Sequence, residues 1–253
     1  MRVARFSHND EVRFGIVDED ELVVLKGHPL VNMYETTGDR VPLAEVKLLA
    51  PTIPSKVVCV GKNYQDHIAE MGMAVTNDEP ALFLKPNSSI IGQGDSIVLP
   101  VQSEKVDLES ELTIVIGKLA KNVSEADSLD YVWGFTIAND VTARDLQYSD
   151  VQWARAKSFD TFCPMGPWIE TDFVPAKQAI SSTINGEVKQ NSSIDYMIHN
   201  VPRIISFVSQ NMTLLPGDVI LTGTPAGIAK LSAGDVVECT VEGIGTLRNP
   251  VTA

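Results

Sequence analysis

The densest chemistry in the chain lies in Val106-Asp107-Leu108-Glu109-Ser110-Glu111-Leu112-Thr113-Ile114-Val115-Ile116. On a strand, successive side chains face opposite ways. Asp107, Glu109 and Glu111 would then share one face, and Leu108, Ser110, Leu112, Ile114 and Ile116 the other. Residues two apart on a strand stand ~6.6 Å apart along it. Carboxylates in such a row repel unless water or a cation neutralises them. Two readings fit. The row faces solvent, where acidic residues are tolerated, or it holds a hard divalent cation, for which carboxylates supply both oxygens and charge. The second reading places Glu109 and Glu111 on one ion and needs a third ligand. Asp140, where the apolar run WGFTIAN ends, is the best candidate; the alternative for it is a turn or a helix cap.

His67 and Glu70 lie three apart in Gln65-Asp66-His67-Ile68-Ala69-Glu70, so on a helical turn they face the same way. A carboxylate that orients a histidine and stabilises its protonated form makes a general base; a surface salt bridge is the plainer alternative. Gly223-Thr224-Pro225-Ala226-Gly227 follows a strand. Its glycines would let backbone approach a ligand and Thr224 offers a hydroxyl, unless it is an ordinary turn. His8, His28 and His199 have no ligand partners at metal spacing. Gly92-Gln93-Gly94 and Gly243-Ile244-Gly245 do not complete a dinucleotide fingerprint.

The elements that must position these groups are mostly strands. Residues 1–50 read as a small meander, closed by a linker with Pro51 and Pro54. Residues 51–253 then form one larger unit. KVVCVG, ALFLKP, SIVLP, ESELTIVIGK, YVWGFTIANDVT, DVILTG and DVVECTVEG read as strands. Helices are expected over Thr142–Trp153 and within Asp195–Gln210, the latter starting at or near Pro202. NYQDHIAEMG is a short helix that packing or ligand must stabilise. With helices out of strict β-α-β alternation, the fold class is α+β with a β-rich core.

The net charge of −13 gives an acidic surface that disfavours nucleic-acid and membrane partners. An anionic substrate stays possible, since a bound metal reverses the local field in one cleft. Cys59, Cys163 and Cys239 are odd in number, far apart and lack a C-x-x-C pair, which argues against disulfides and structural zinc. The first residues lack the apolar stretch of a signal peptide, so a cytoplasmic location is expected.

VDLESELTIVIGK, GFTIANDVTARDLQ, AKSFDTFCPMGPW and LLPGDVILTGTPAGI, in this order and together with VCVGKNYQDHIAEMG, resemble the fumarylacetoacetate hydrolase family. The resemblance implies a mixed β-roll catalytic domain, with residues 1–50 as a small N-terminal β domain, and a homodimer or higher oligomer. It implies Mg²⁺ or Mn²⁺ on Glu109, Glu111 and Asp140, chelated by a small 2-oxo acid. Lys157 matches the family lysine, which would stabilise an enolate oxygen. Arg144 and Gln147, i and i+3, would bind a substrate carboxylate, although Arg144 also suits a structural ion pair. Thr224 would contact a carboxylate, and Tyr64 is a further substrate-binding candidate. His67 and Glu70 would form a catalytic dyad on a lid, with Gly72 as a hinge. Lys62 stands where many relatives carry Arg, which changes how a second anionic group would be held. The expected activity is C–C cleavage, as oxaloacetate decarboxylase or acylpyruvate hydrolase. The alternatives are an isomerase or decarboxylase of 2-hydroxyhepta-2,4-diene-1,7-dioate type and a non-catalytic metal-binding scaffold.

Overall fold

The computed structural model describes residues 1–72 and 79–253. The N-terminal strands are β1 Arg2–His8, β2 Glu11–Asp18, β3 Glu21–Leu25, β4 Thr36–Pro42 and β5 Lys47–Leu49, with helix α1 Pro29–Asn32 before β4. Next come β6 Val57–Gly61, α2 Gln65–Glu70, β7 Ala81–Lys85, β8 Ile90–Ile91, β9 Ile97–Val98, β10 Val106–Leu108 and β11 Ser110–Ile116. They are followed by β12 Val132–Asn139, β13 Thr142–Ala143, α3 Arg144–Ser149, α4 Ala154–Lys157, β14 Cys163–Glu170, β15 Ala179–Ile184 and β16 Glu187–Ser193. The remaining elements are α5 Val201–Asn211, β17 Val219–Leu221, β18 Ala229–Lys230, β19 Val236–Val241 and β20 Gly245–Thr252. This is the expected β-rich α+β fold.

A large mixed sheet runs β4-β3-β2-β1-β14-β12-β11-β17-β6-β7. Strand β1 pairs with both β2 and β14, so this sheet continues across residue 50. A second sheet, β16-β15-β19-β20-β9, packs on it. Leu112, Ile114, Ile116 and Ile137 of the large sheet meet Ile180, Val237, Val241 and Leu247 of the second in one core, which Ile204, Ile205 and Val208 of α5 complete. The opposite face of the large sheet buries Val57, Cys59, Val115, Val219 and Leu221 in another cluster. Strand β11 is thus covered on both sides, which suits its run of β-branched residues.

Two local expectations are revised. The acidic stretch is not one strand: β10 pairs with β13 and β18, whereas β11 pairs with β12 and β17. The chain changes sheet at Glu109, whose N–H donates to Asn139 Oδ1 at 2.9 Å. Of the helix expected over Thr142–Trp153 only Arg144–Ser149 forms, as α3; Asp150 turns the backbone extended and ends it, and the separate short helix α4 starts beyond the expected span, at Ala154. The helix expected at or near Pro202 does form there: it starts at Val201, because Asn200 caps it, accepting from the Arg203 N–H, and Pro202 occupies its first turn. Among the described residues no helix is long and apolar enough to cross a membrane.

Candidate metal and catalytic site

Antiparallel pairing of β11 with β12 sets Ser110 opposite Asn139 and Glu111 opposite Ala138. The residues just beyond that register, Glu109 and Asp140, are therefore neighbours, and the Asp140 N–H donates to the Glu109 carbonyl at 2.8 Å. Glu109, Glu111 and Asp140 each place a carboxylate oxygen within 4.8 Å of the others. All three are buried. A solvent-facing acidic row is thereby excluded, and the set could hold a metal ion. Asp107 lies outside it, on β10, where its Oδ2 accepts from Arg144 Nε at 2.9 Å.

Buried cations compensate part of this charge. Lys157 Nζ donates to Glu109 Oε2 at 2.8 Å and to Asp140 Oδ2 at 2.6 Å. Arg144 also donates to Glu109 Oε1 and, at 2.6 Å, to Gln147 Oε1. The sequence reading missed Lys85. It ends the apolar strand β7, is 2% exposed, and donates to Asp140 Oδ1 at 2.6 Å and to the Val141 carbonyl at 3.1 Å. A cation at an inward position of ALFLK was the signal available. Glu111 differs: its Oε2 accepts from the Gly223 N–H at 2.6 Å, and no described cation pairs with it.

These surroundings push the carboxylates apart. Burial would raise Glu109, but Lys157 and Arg144 outweigh it and hold the group below the usual carboxylate range. Burial, then Asp140 and Glu109, push Glu111 well up. Burial would lower Lys157, yet Asp140 and Glu109 raise it, so its ammonium stays charged. Four carboxylates, with Asp107, thus face three cations, and the one lacking a cation is a metal-ligand candidate. A hard, oxygen-preferring divalent ion fits this donor set.

His67 lies on α2 against the same chamber, with Nδ1 3.2 Å from Glu70 Oε2. Glu70 Oε1 in turn accepts from the Gly227 N–H at 3.0 Å. The turn from Gly223 to Gly227 therefore touches both the carboxylate set and the histidine dyad. It is pressed against β16: a Cβ on Gly227 would stand 2.1 Å from the Lys189 carbonyl. Buried Gln190, also overlooked in the sequence, holds this turn through Thr224 Oγ1 (2.7 Å) and the Pro225 carbonyl (2.8 Å).

The chamber framed by Glu109, Glu111, Asp140, Lys157 and His67 measures about 30 Å³. Arg144, Gln147 and Thr224 also line it. Arg144 spends its guanidinium on Asp107, Glu109 and Gln147, which is the ion-pair alternative. The Thr224 hydroxyl donates to the Ser110 carbonyl at 2.9 Å, so a substrate contact through that proton requires giving up this bond. Tyr64 is buried and does not line this chamber; its hydroxyl has no described partner.

Two predictions follow from the charges. Lys85→Met orphans part of the Asp140 charge and is expected to destabilise the metal-free protein by about 3 kcal/mol. Thermal unfolding would show a drop of roughly 6–12 °C, largely recovered by Mn²⁺; an unchanged Tm would refute the dependence.

The second concerns pH. Glu111 binds its proton more tightly folded than unfolded, so its contribution to stability is present at low pH and lost as pH rises through its raised folded value. Glu109 works oppositely: its contribution is present above the usual carboxylate range and lost as pH falls. An ion at the set displaces the Glu111 proton. The Tm gain from saturating Mn²⁺ is therefore expected to grow as pH rises toward the raised Glu111 value, and a flat response would remove Glu111 from the ligand set.

Residues 56–252 match the family model described as fumarylacetoacetate (FAA) hydrolase C-terminal, and residues 1–51 the one described as Rv2993c-like, N-terminal. Oxaloacetate tautomerase FAHD2A, mitochondrial, of Bos taurus is 46% identical over 223 residues, spanning 83% of this chain and 71% of that protein. The structure of 2-hydroxyhepta-2,4-diene-1,7-dioate isomerase from Mycobacterium marinum superposes with a TM-score of 0.92 at 47% identity, covering 100% of this chain and 98% of that one. Maleylpyruvate hydrolase from Sphingobium sp. SYK-6, in complex with manganese (II) ion and pyruvate, gives 0.84 at 30% identity, covering 100% and 99%.

Proposed function

The chain belongs to the fumarylacetoacetate hydrolase family, and we propose that it is a divalent-metal-dependent enzyme that moves a proton between the keto and enol forms of small 2-oxo acids. The observation that carries this is the meeting, in one chamber, of Glu109, Glu111 and Asp140 with Lys157 and with His67. Glu109, Glu111 and Asp140 would hold Mg²⁺ or Mn²⁺, and the manganese in the maleylpyruvate hydrolase structure supports that choice. A bound ion of this kind supplies Lewis acidity toward a 2-oxo carbonyl.

The other steps belong to side chains. Lys157, kept charged between Glu109 and Asp140, offers a fixed positive charge to the oxygen that becomes an enolate. His67, oriented by Glu70, takes the proton from the carbon beside the carbonyl and returns it. Relatives called tautomerase and isomerase, at 46% and 47% identity, favour proton transfer over the cleavage expected from the sequence.

Cleavage remains the second reading, favoured by one observation: the His67–Glu70 pair has the geometry of a base that activates water. In hydrolysis of an acylpyruvate, water so activated attacks the distal carbonyl. The C–C bond electrons pass to the pyruvate enolate, which is then protonated. In decarboxylation, CO₂ leaves and the same enolate forms.

The test is a panel of oxaloacetate, acetylpyruvate and 2-hydroxyhepta-2,4-diene-1,7-dioate. Each is assayed with EDTA, then with Mg²⁺ or Mn²⁺, against metal and buffer alone. Metal-restored keto–enol interconversion is the expected result. Acetylpyruvate hydrolysis without interconversion would favour the second reading, and no turnover above the blank with Mn²⁺ bound would sink both.

A further inference from the structure

Where the chain changes sheet at Glu109, side chains stand in for strand partners. Buried backbone N–H groups must be paired. The Glu109 N–H donates to Asn139 Oδ1, and the Ser110 N–H donates to Gln190 Oε1 of β16, both at 2.9 Å. The strand on the other side stops short as well: the register of β11 with β17 ends at Thr113 and Leu221. Beyond it the Thr222 and Thr224 hydroxyls donate to the Leu112 and Ser110 carbonyls, both at 2.9 Å. Ser110, which separates two candidate metal ligands, is thus tied through its N–H to Gln190 and through its carbonyl to Thr224.

Gln190 joins these two ties. It is fully buried, and its Oε1 also accepts from the Ser182 hydroxyl at 2.9 Å. Its Nε2 donates to Thr224 Oγ1 at 2.7 Å and to the Pro225 carbonyl at 2.8 Å. A side-chain amide has two donor and two acceptor positions, and all four are used. Its orientation is forced, because the Ser110 N–H can only donate and the Pro225 carbonyl can only accept. A methionine of similar size offers none of these bonds, and a protonated glutamate has one proton to give instead of two.

The piece of the turn that Gln190 grips leads to the histidine dyad. Two residues after Pro225, the Gly227 N–H donates to Glu70 Oε1, while Glu70 Oε2 faces His67 Nδ1. Gly227 adopts φ +97° against the Lys189 carbonyl and Gln190 Cα, so this end of the turn rests on β16. The start of the turn has holds of its own, since the Thr222 N–H and hydroxyl both donate to the Leu112 carbonyl. We propose that Gln190 is a positioning residue for proton transfer: anchored to the carboxylate strand at Ser110, it sets where the turn presents Gly227, and so where Glu70 holds His67. The inference rests on the reading of His67 as the base.

Gln190→Met keeps the bulk of the side chain and removes all four bonds. In the Mg²⁺-loaded full chain it is expected to lower kcat, on whichever panel substrate the wild type turns over, by on the order of 100-fold, the cost of misplacing a catalytic group by a small distance. Mg²⁺ affinity should change little. Glu70→Ala cuts the same link from the other side. The double variant should then be about as slow as Glu70→Ala alone, whereas a merely structural role makes the two losses multiply. Nitrogen NMR of the histidine rings reads the positioning apart from activity. The His67 signal, identified by its absence in His67→Ala, should move in Gln190→Met toward its position in Glu70→Ala. Gln190→Glu, which still accepts from Ser110 and Ser182, replaces Gln190→Met if that variant does not fold. An unmoved His67 signal, or losses that multiply, overturns the inference. A moved signal in a chain whose His67→Ala variant stays fully active would uphold the positioning of Glu70 and count against His67 as the base.

Discussion

Glu111→Gln is expected to abolish turnover and to weaken Mn²⁺ binding by more than about 100-fold, since losing a ligand exceeds the 10–100-fold cost of losing an outer-shell partner. Of the three carboxylates it is the cleanest to remove. Replacing Glu109 or Asp140 strips a partner from buried Lys157, and with it from Arg144 or Lys85. Orphaning such cations costs about 3–5 kcal/mol, so loss of activity there would be confounded with loss of fold. Among the described residues Glu111 has no cation to orphan. A glutamine carbonyl still accepts the Gly223 N–H, and the repulsion from Asp140 and Glu109 disappears. The metal-free variant should therefore melt at or above the wild-type temperature. Calorimetry with Mn²⁺ and unfolding in EDTA make the check. Undiminished Mn²⁺ affinity would remove Glu111 from the site.

His67→Ala is expected to lower the wild-type reaction by about 100–10,000-fold, the usual worth of a positioned general base, with Mn²⁺ affinity little changed. The histidine lines the chamber but contributes no atom to the carboxylate set, so metal binding and proton movement should separate cleanly. Glu70→Gln should cost less, because the amide still accepts a hydrogen bond while orienting the ring poorly. Full activity in His67→Ala, on whichever panel substrate the wild type turns over, would remove the dyad from the mechanism.

The carboxylate set could be read in the sequence because alternation brings Glu109 and Glu111 close locally, and a strand end is a natural place for Asp140. The break at Glu109 could not: it depends on which strands β10 and β11 find as partners, far away in the chain. Lys85 escaped for the same reason, since its meaning comes from the Asp140 carboxylate that pairing delivers to it. Arg144 and Gln147 were placed on one helical face, and they are. What spacing could not say is that the guanidinium points back into Asp107 and Glu109. Gln190 lies on the second sheet, and no local pattern ties an amide there to the turn at Thr224.

That turn has a consequence for how the site assembles. Its first amide, on Gly223, holds Glu111, and its last, on Gly227, holds Glu70 of the helix bearing His67. If Glu111 takes an ion, its capture and the docking of that helix would draw on one short piece of backbone. Reciprocity of coupling free energies requires that an ion which tightens the docked helix is itself retained longer by that helix, by the same factor. Hydrogen exchange at residues 65–70 would then report metal occupancy from a segment that supplies no ligand to it.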